Sequence, residues 1–189
     1  MAVLRKSFRN FSLKNSSLTI RILALLIIAG GITTILILLL KKKPEIRDNR
    51  ISIYASSIKN KWYKPENAFD KKRKTAWTPK STTGGKYEWI KASFSKPILL
   101  SGIRMINGFG HNHKRYGDLY EKNNRVKAVR IRLSGSVVSY YWVLKDNNSD
   151  FQSFTLPAPR KTSFVQIFIH DIYKGSLWDD LSISEIKFW

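Results

Sequence analysis

Residues 62–77, WYKPENAFDKKRKTAW, put two tryptophans, an Asn, an Asp and four consecutive cations into sixteen residues. An aromatic face beside cations can grip nucleic acid or a sugar, while Asn, Asp and Thr oxygens can hold a metal or build a turn. A second cluster, Asn123-Asn124-Arg125-Val126-Lys127, joins side-chain amides to a planar guanidinium and an ammonium. Those are the donors that hydroxyl-rich or acidic ligands need. Two other runs invite a catalytic reading. His111-Asn112-His113 has a metal-like spacing, but no further ligand pattern follows, and two solvated loop histidines account for it. Asp179 and Asp180 form a carboxylate pair, yet neighbours on a strand point to opposite faces and do not easily share a substrate. With no cysteine, no Gly-x-Ser-x-Gly and no phosphate loop, the sequence reads as a non-enzyme.

The absence of cysteine also excludes disulfides and zinc–thiolate sites. Lys and Arg number 34 against 13 Asp and Glu, a net charge of +21, so an anionic partner is expected: nucleic acid, lipid headgroup or acidic glycan. Part of the excess has a membrane explanation. Ile22 to Leu40 carries no charge and as a helix would span roughly 28 Å, the thickness of a bilayer's hydrocarbon core. A transmembrane helix is therefore expected over 22–40, between a basic tail, 1–21, and a linker, 41–50. The cations flanking it nearly tie, which leaves orientation open. Only Arg5, Lys6, Arg9, Lys14 and Arg21 precede residue 41, so 29 of the 34 cations and all 13 acids follow, and the remainder of the chain is itself +16.

That remainder must position the candidate residues, and its pattern is one of strands. In 87–95, Ile90, Ala92 and Phe94 alternate with polar residues. In 126–135, Val129, Ile131 and Leu133 share a face opposite Arg130 and Arg132, and Gly135 ends the segment. In 163–173, Val165, Ile167 and Ile169 oppose Gln166, Phe168 and His170. No convincing helical period follows residue 44, so the expected class is an all-β sandwich or barrel. Carrying the core-facing parity of Val129 backwards places Lys127 and Arg125 where the apolar face ends, at the mouth of the sandwich. The competing reading has both reaching solvent or pairing with Asp171.

Several motifs, in order and spacing, resemble a discoidin-type domain, and more closely the NADase-type glycan-binding domain. They are ASS (55–57), YKPENAFD (63–70), TAW (75–77), YEWI (87–90), INGFG (106–110), NNRVK (123–127) and YKGSLWDDLSISEIKF (173–188). The resemblance covers residues 51–189. It implies a galactose-binding-like, discoidin-like jelly-roll β-sandwich, with carbohydrate bound by loops at one end. It also points to a bacterial protein, with the domain on the extracytoplasmic side of the membrane. In such domains an Asp and a Thr-x-Trp turn often cradle a structural calcium that a carboxylate near the C-terminus completes. The matching residues here are Asp70, Thr75 and Glu185, with Trp77 in the core. The sequence departs from the pattern at Lys71–Lys74, where four cations should repel a divalent ion.

The reading that results is a non-catalytic carbohydrate-binding module on a membrane. Arg125, Lys127, Asn123, Asn124 and Asn107 are its candidate ligand donors, and Tyr116 and Tyr63 its candidate stacking rings. No cofactor is required beyond the calcium that the resemblance allows. The alternative is a basic module that binds nucleic acid or anionic lipid headgroups by charge alone.

Overall fold

The computed structural model describes residues 51–189, so the expected tail, membrane helix and linker lie outside the described residues. Among the described residues no helix is long and apolar enough to cross a membrane. They form eight strands: β1 (Ile51–Ala55), β2 (Trp89–Ile106), β3 (Asn112–His113), β4 (Gly117–Asp118), β5 (Arg125–Leu133), β6 (Tyr140–Val143), β7 (Gln152–Tyr173) and β8 (Glu185–Phe188). A 3-10 turn, Pro65–Phe69, and one short helix, α1 (Leu119–Lys122), complete the set. The all-β sandwich expected from the sequence is what the chain forms.

Two long bent strands build both layers. The first part of β2 pairs with β1 and with the last part of β7, which pairs in turn with β5, and β5 with β6. The second part of β2 pairs with β8 and with the first part of β7. The register of β2 against β7 shifts between Ser93 and Ile98 and again between Leu100 and Gly102. Pro97 lies in the first irregularity, and Pro157 and Pro159 lie opposite the second. Proline lacks the N–H that a ladder needs, so the strands bend there and pass from one layer to the other.

The predicted parities hold through the strand centres. Ile90, Ala92, Phe94, Val129, Ile131, Leu133, Val165, Ile167 and Ile169 are buried in one core with Leu100, Ile103, Met105, Ile186 and Phe188 from the second layer. Trp77 is fully buried and its indole N–H donates to Ser57 O at 3.0 Å, as its core reading requires.

The loops that follow β1, β2, β6 and β7 meet at one end. Val126 N donates to Asn107 O at 2.7 Å, Ser184 N donates to Gly108 O at 3.1 Å, and isolated bridges join Trp77 to Ile183 and Asn124 to Leu181. The candidate residues all belong to this end or its rim. At the opposite end lie the bends of β2 and β7, the β5–β6 turn and the start of β1, where Ile51 pairs with Phe94.

Candidate functional site

The parity carried back along β5 breaks before it reaches Arg125. The register against β7 shifts on both sides of Ala128, so Val126 and Ala128 turn into the core and Lys127 turns outward. Lys127 Nζ lies 2.8 Å from Asp171, which Lys86 also meets at 2.7 Å. These two ammonium groups hold the Asp171 carboxyl far below its ordinary value. Arg125 is buried. Its Nε and Nη2 donate to the two oxygens of Asp146 at 2.8 and 3.2 Å. Its Nη1 serves the carbonyls of Tyr120, Glu121 and Asn123, and Nη2 also reaches Lys174 O. The guanidinium lies over the Tyr120 ring, 5.4 Å from its centroid. Burial alone would raise the Asp146 carboxyl, but Arg125 and the Asn147 N–H hold it below its ordinary value. Gly108 permits this packing, because a Cβ there would come within 2.9 Å of both Tyr120 and Arg125.

Asn107 and Asn124 are fully buried in the same framework. The Asn107 amide donates to Val126 O at 2.7 Å, and its oxygen accepts from Tyr120 Oη at 2.8 Å. Asn124 donates to Gly84 O and Asp179 and accepts from Gly175 N. Arg125, Asn107 and Asn124 thus tie the loops to one another. A buried polar group needs that satisfaction, and here the loop backbones supply it.

Beside this framework lies a cleft of about 420 Å³. One wall is a continuous run of rings in contact, in the order Tyr63, Phe109, His111, His113, Tyr116, Trp178. His113 and Tyr116 stack with centroids 5.0 Å apart, and Tyr116 and Trp178 meet edge to face with centroids 5.7 Å apart. The β3–β4 hairpin presents Tyr116 with 42% of its surface exposed, and the Trp178 N–H is fixed on Lys122 O at 2.8 Å. The polar side of the cleft carries Lys59, Lys74, Asp180 and Asn123, with the paired hydroxyls of Thr78 and Ser182 between them. Lys59 is ion-paired to Asp180, and Asn123 donates to Leu119 O at 2.8 Å. Lys74 has no acidic partner among the described residues. The chemistry on offer is stacking against a flat apolar ring face, hydrogen bonding to hydroxyls, and one unpaired cation.

Residues 42–189 match the profile of the NAD glycohydrolase translocation F5/8 type C domain. The chain belongs to that family. No curated protein sequence matches it. Among solved structures, this F5/8 type C domain is similar to the family 32 carbohydrate-binding module of AlyQ in complex with 4,5-unsaturated mannuronic acid. That match has a TM-score of 0.57 and 14% identity, and covers 76% of this chain and 98% of that one. It is also similar to the family 32 module of Clostridium perfringens NanJ in complex with galactose, with a TM-score of 0.55, 15% identity, and 73% and 92% of the two chains covered. An F5/8 type C domain from Bacteroides fragilis matches with a TM-score of 0.55 and 15% identity over 76% and 93%. At these identities the likeness is one of fold.

In this F5/8 type C domain the calcium-type residues do come together. Asp70 accepts from Lys72 N and from Thr75 Oγ1, each at 2.8 Å. Glu185 is 2% exposed, and its carboxyl, which faces the Asp70 carboxyl and the Lys72 N–H, makes no hydrogen bond of full geometry to either. Burial first, and then the facing Asp70 carboxylate, push the Glu185 carboxyl up to about 7. The expected obstacle is absent from the gap itself. Lys71, Lys72, Arg73 and Lys74 are all exposed, and Arg73 turns to Asp150. Two facing carboxylates, one of them buried, fit a hard divalent cation. Among the described residues no three His, Asp or Glu side chains converge, so such an ion would also need backbone carbonyls and water.

Of the ligand residues expected from sequence, Tyr63, Tyr116 and Asn123 line the cleft; Asn107, Asn124, Arg125 and Lys127 do not. The sequence reading missed Trp178, Phe109, His111, His113, Lys59, Lys74 and Asp180 as neighbours. One signal for them was present: His111 and His113 alternate between the aromatic residues Phe109 and Tyr116, a composition that solvated loops do not need. The aspartate pair does point two ways, Asp180 into the cleft and Asp179 to Asn124 and Lys174, although neither lies on a strand.

Proposed function

We propose that the domain is a non-catalytic carbohydrate-binding module and that the sugar ring stacks on Tyr116 and Trp178 in the loop-end cleft. The observation that carries this reading is the unbroken wall of rings facing Lys59, Lys74 and Asp180 across the cleft. A pyranose offers an apolar C–H face to a ring and equatorial hydroxyls to the polar side, and such a wall meets both. Similarity to modules solved with galactose and with an unsaturated uronic acid supports the ligand class. The unpaired Lys74 favours a glycan that carries a carboxylate. The site is shallow, so monovalent affinity in the range of about 1 mM to 1 μM is expected, strengthened by many copies on one membrane. The bilayer anchor at 22–40, the extracytoplasmic placement and a bacterial source belong to the same reading. If a calcium is held, Asp70, Thr75 and Glu185 hold it, and it would stiffen the loop that leads to Trp77.

A glycan array probed with the full chain tests this. The wild-type chain should select a subset of sugars. Tyr116→Ala and Trp178→Ala should weaken that binding by about 1–2 kcal/mol, roughly 5- to 30-fold, with near-ultraviolet circular dichroism retained. Wild-type binding by both variants would remove the sugar from this cleft.

A further inference from the structure

The two ends of the sandwich differ in charge. After residue 50, every Asp and Glu falls within 66–88, 118–121, 146–150 or 171–185, which are the loops and strand ends at the cleft end. None falls in 89–117, 122–145 or 151–170. Among the described residues, the end opposite the cleft therefore carries cations with no acid among them. Lys96 sits in the bend of β2, and the exposed Arg160 and Lys161 sit in the bend of β7, paired with Leu100 and Leu99.

The same end exposes aliphatic side chains. Val137 is completely exposed, and Val138 and Leu99 are 58% and 65% exposed. Val137 and Val138 form the β5–β6 turn, and Ser134 binds that turn to the β7 bend through Thr162 and Ser163 at 2.7–3.0 Å. The turn that carries the valines is thus tied to the β7 bend that carries Arg160 and Lys161. Ile51, the first described residue, opens β1 at this end.

We propose that this end docks on the anionic surface of a lipid bilayer, with Val137, Val138 and Leu99 in the headgroup layer and Lys96, Arg160 and Lys161 against lipid phosphates. Aliphatic tips ringed by cations gain both from apolar burial and from the negative surface potential of anionic lipid. Nucleic acid is the less favoured polyanion, because the cluster has no exposed ring on which bases could stack. The consequence is an orientation in which the cleft faces away from the membrane. The inference is independent of what the cleft binds.

The chain has no cysteine, so Val137→Cys and, at the cleft end, Leu177→Cys each provide one labelling site. The full chain, reconstituted in phosphatidylcholine vesicles with or without phosphatidylglycerol, is labelled from outside with an environment-sensitive, membrane-impermeant maleimide. At position 137 the emission should shift to the blue in anionic vesicles and be quenched at least twofold by brominated lipid. Both signals should be absent in neutral vesicles and fall in high salt, and the label at 177 should stay in water. Replacing Lys96, Arg160 and Lys161 by Glu should reduce the quenched fraction at least tenfold while sugar binding persists. The proposal is overturned by a water-exposed label at 137 in anionic vesicles, by an equal response at 177, or by the same response in neutral vesicles. Capture of a single-stranded oligonucleotide by this end in place of lipid would overturn it too.

Discussion

Two clusters at the same end of the sandwich are built from the same kinds of residue and differ in how far those residues satisfy one another. Around Arg125, a cation, an aspartate, two asparagines and a tyrosine lock together until every guanidinium N–H has an acceptor. Around Tyr116 and Trp178, cations, an aspartate, an asparagine and aromatic rings leave Tyr116 42% exposed and Lys74 without an acidic partner among the described residues. Residue type does not separate a staple from a site; unused hydrogen-bonding capacity and unburied ring surface do.

The largest effect that could break this contrast is on Arg125. Arg125→Ala leaves Asp146 and four loop carbonyls without their donor, and should cost about 3–5 kcal/mol in urea denaturation. Arg125→Lys should recover little, because an ammonium cannot replace the bidentate fork. Full stability with sugar binding abolished would move Arg125 from the staple to the site.

Next in size is Glu185. Its folded pKa, about 7, lies above the ordinary 4.5, so the stability tied to it is fully present below about pH 4.5 and is lost as pH rises through 7. From pH 5 to pH 8 the domain should lose on the order of 2 kcal/mol, read as a falling melting temperature. Asp146, Asp171 and Asp179 are shifted downward and titrate below that window. Glu185→Gln should flatten the profile. Calcium at pH 8 should restore the lost stability in the wild type and not in the variant, whereas a calcium-independent melting temperature would leave Asp70 and Glu185 as a strained pair with no metal.

Smaller effects sharpen the contrast from the cleft side. Lys74→Ala should weaken binding of a uronic-acid glycan by about 1 kcal/mol and leave a neutral sugar unaffected. Equal loss for both sugars would mean that Lys74 shapes the cleft instead of recognising charge. The smallest change belongs to Lys127→Ala. Its pairing with Asp171 is solvent-exposed and Lys86 remains on the same carboxylate, so only a slight loss is expected in stability and none in binding. A larger loss of sugar binding would return Lys127 to the ligand site.

The sequence by itself determined the strand faces and the class. Alternation at 90–94, 129–133 and 165–169 reads directly as buried and exposed sides, because the pleat has a period of two whatever the partner strand. The core position of Trp77 was also legible, and the grouping of Asp70, Thr75 and Glu185 was what the resemblance to discoidin-type domains implied. The tertiary structure alone decided where the parity fails. The irregularity at Ala128 arises from pairing with β7, and no local pattern in NNRVKAV announces it. It also decided which cations are free. Arg125 finds acceptors at Asp146 and Lys174, 21 and 49 residues away in sequence, and the cleft draws on loops that run from Lys59 to Ser182. Whether a polar group is available to a ligand depends on hydrogen bonds made across the whole chain, and such bonds are properties of packing, not of spacing.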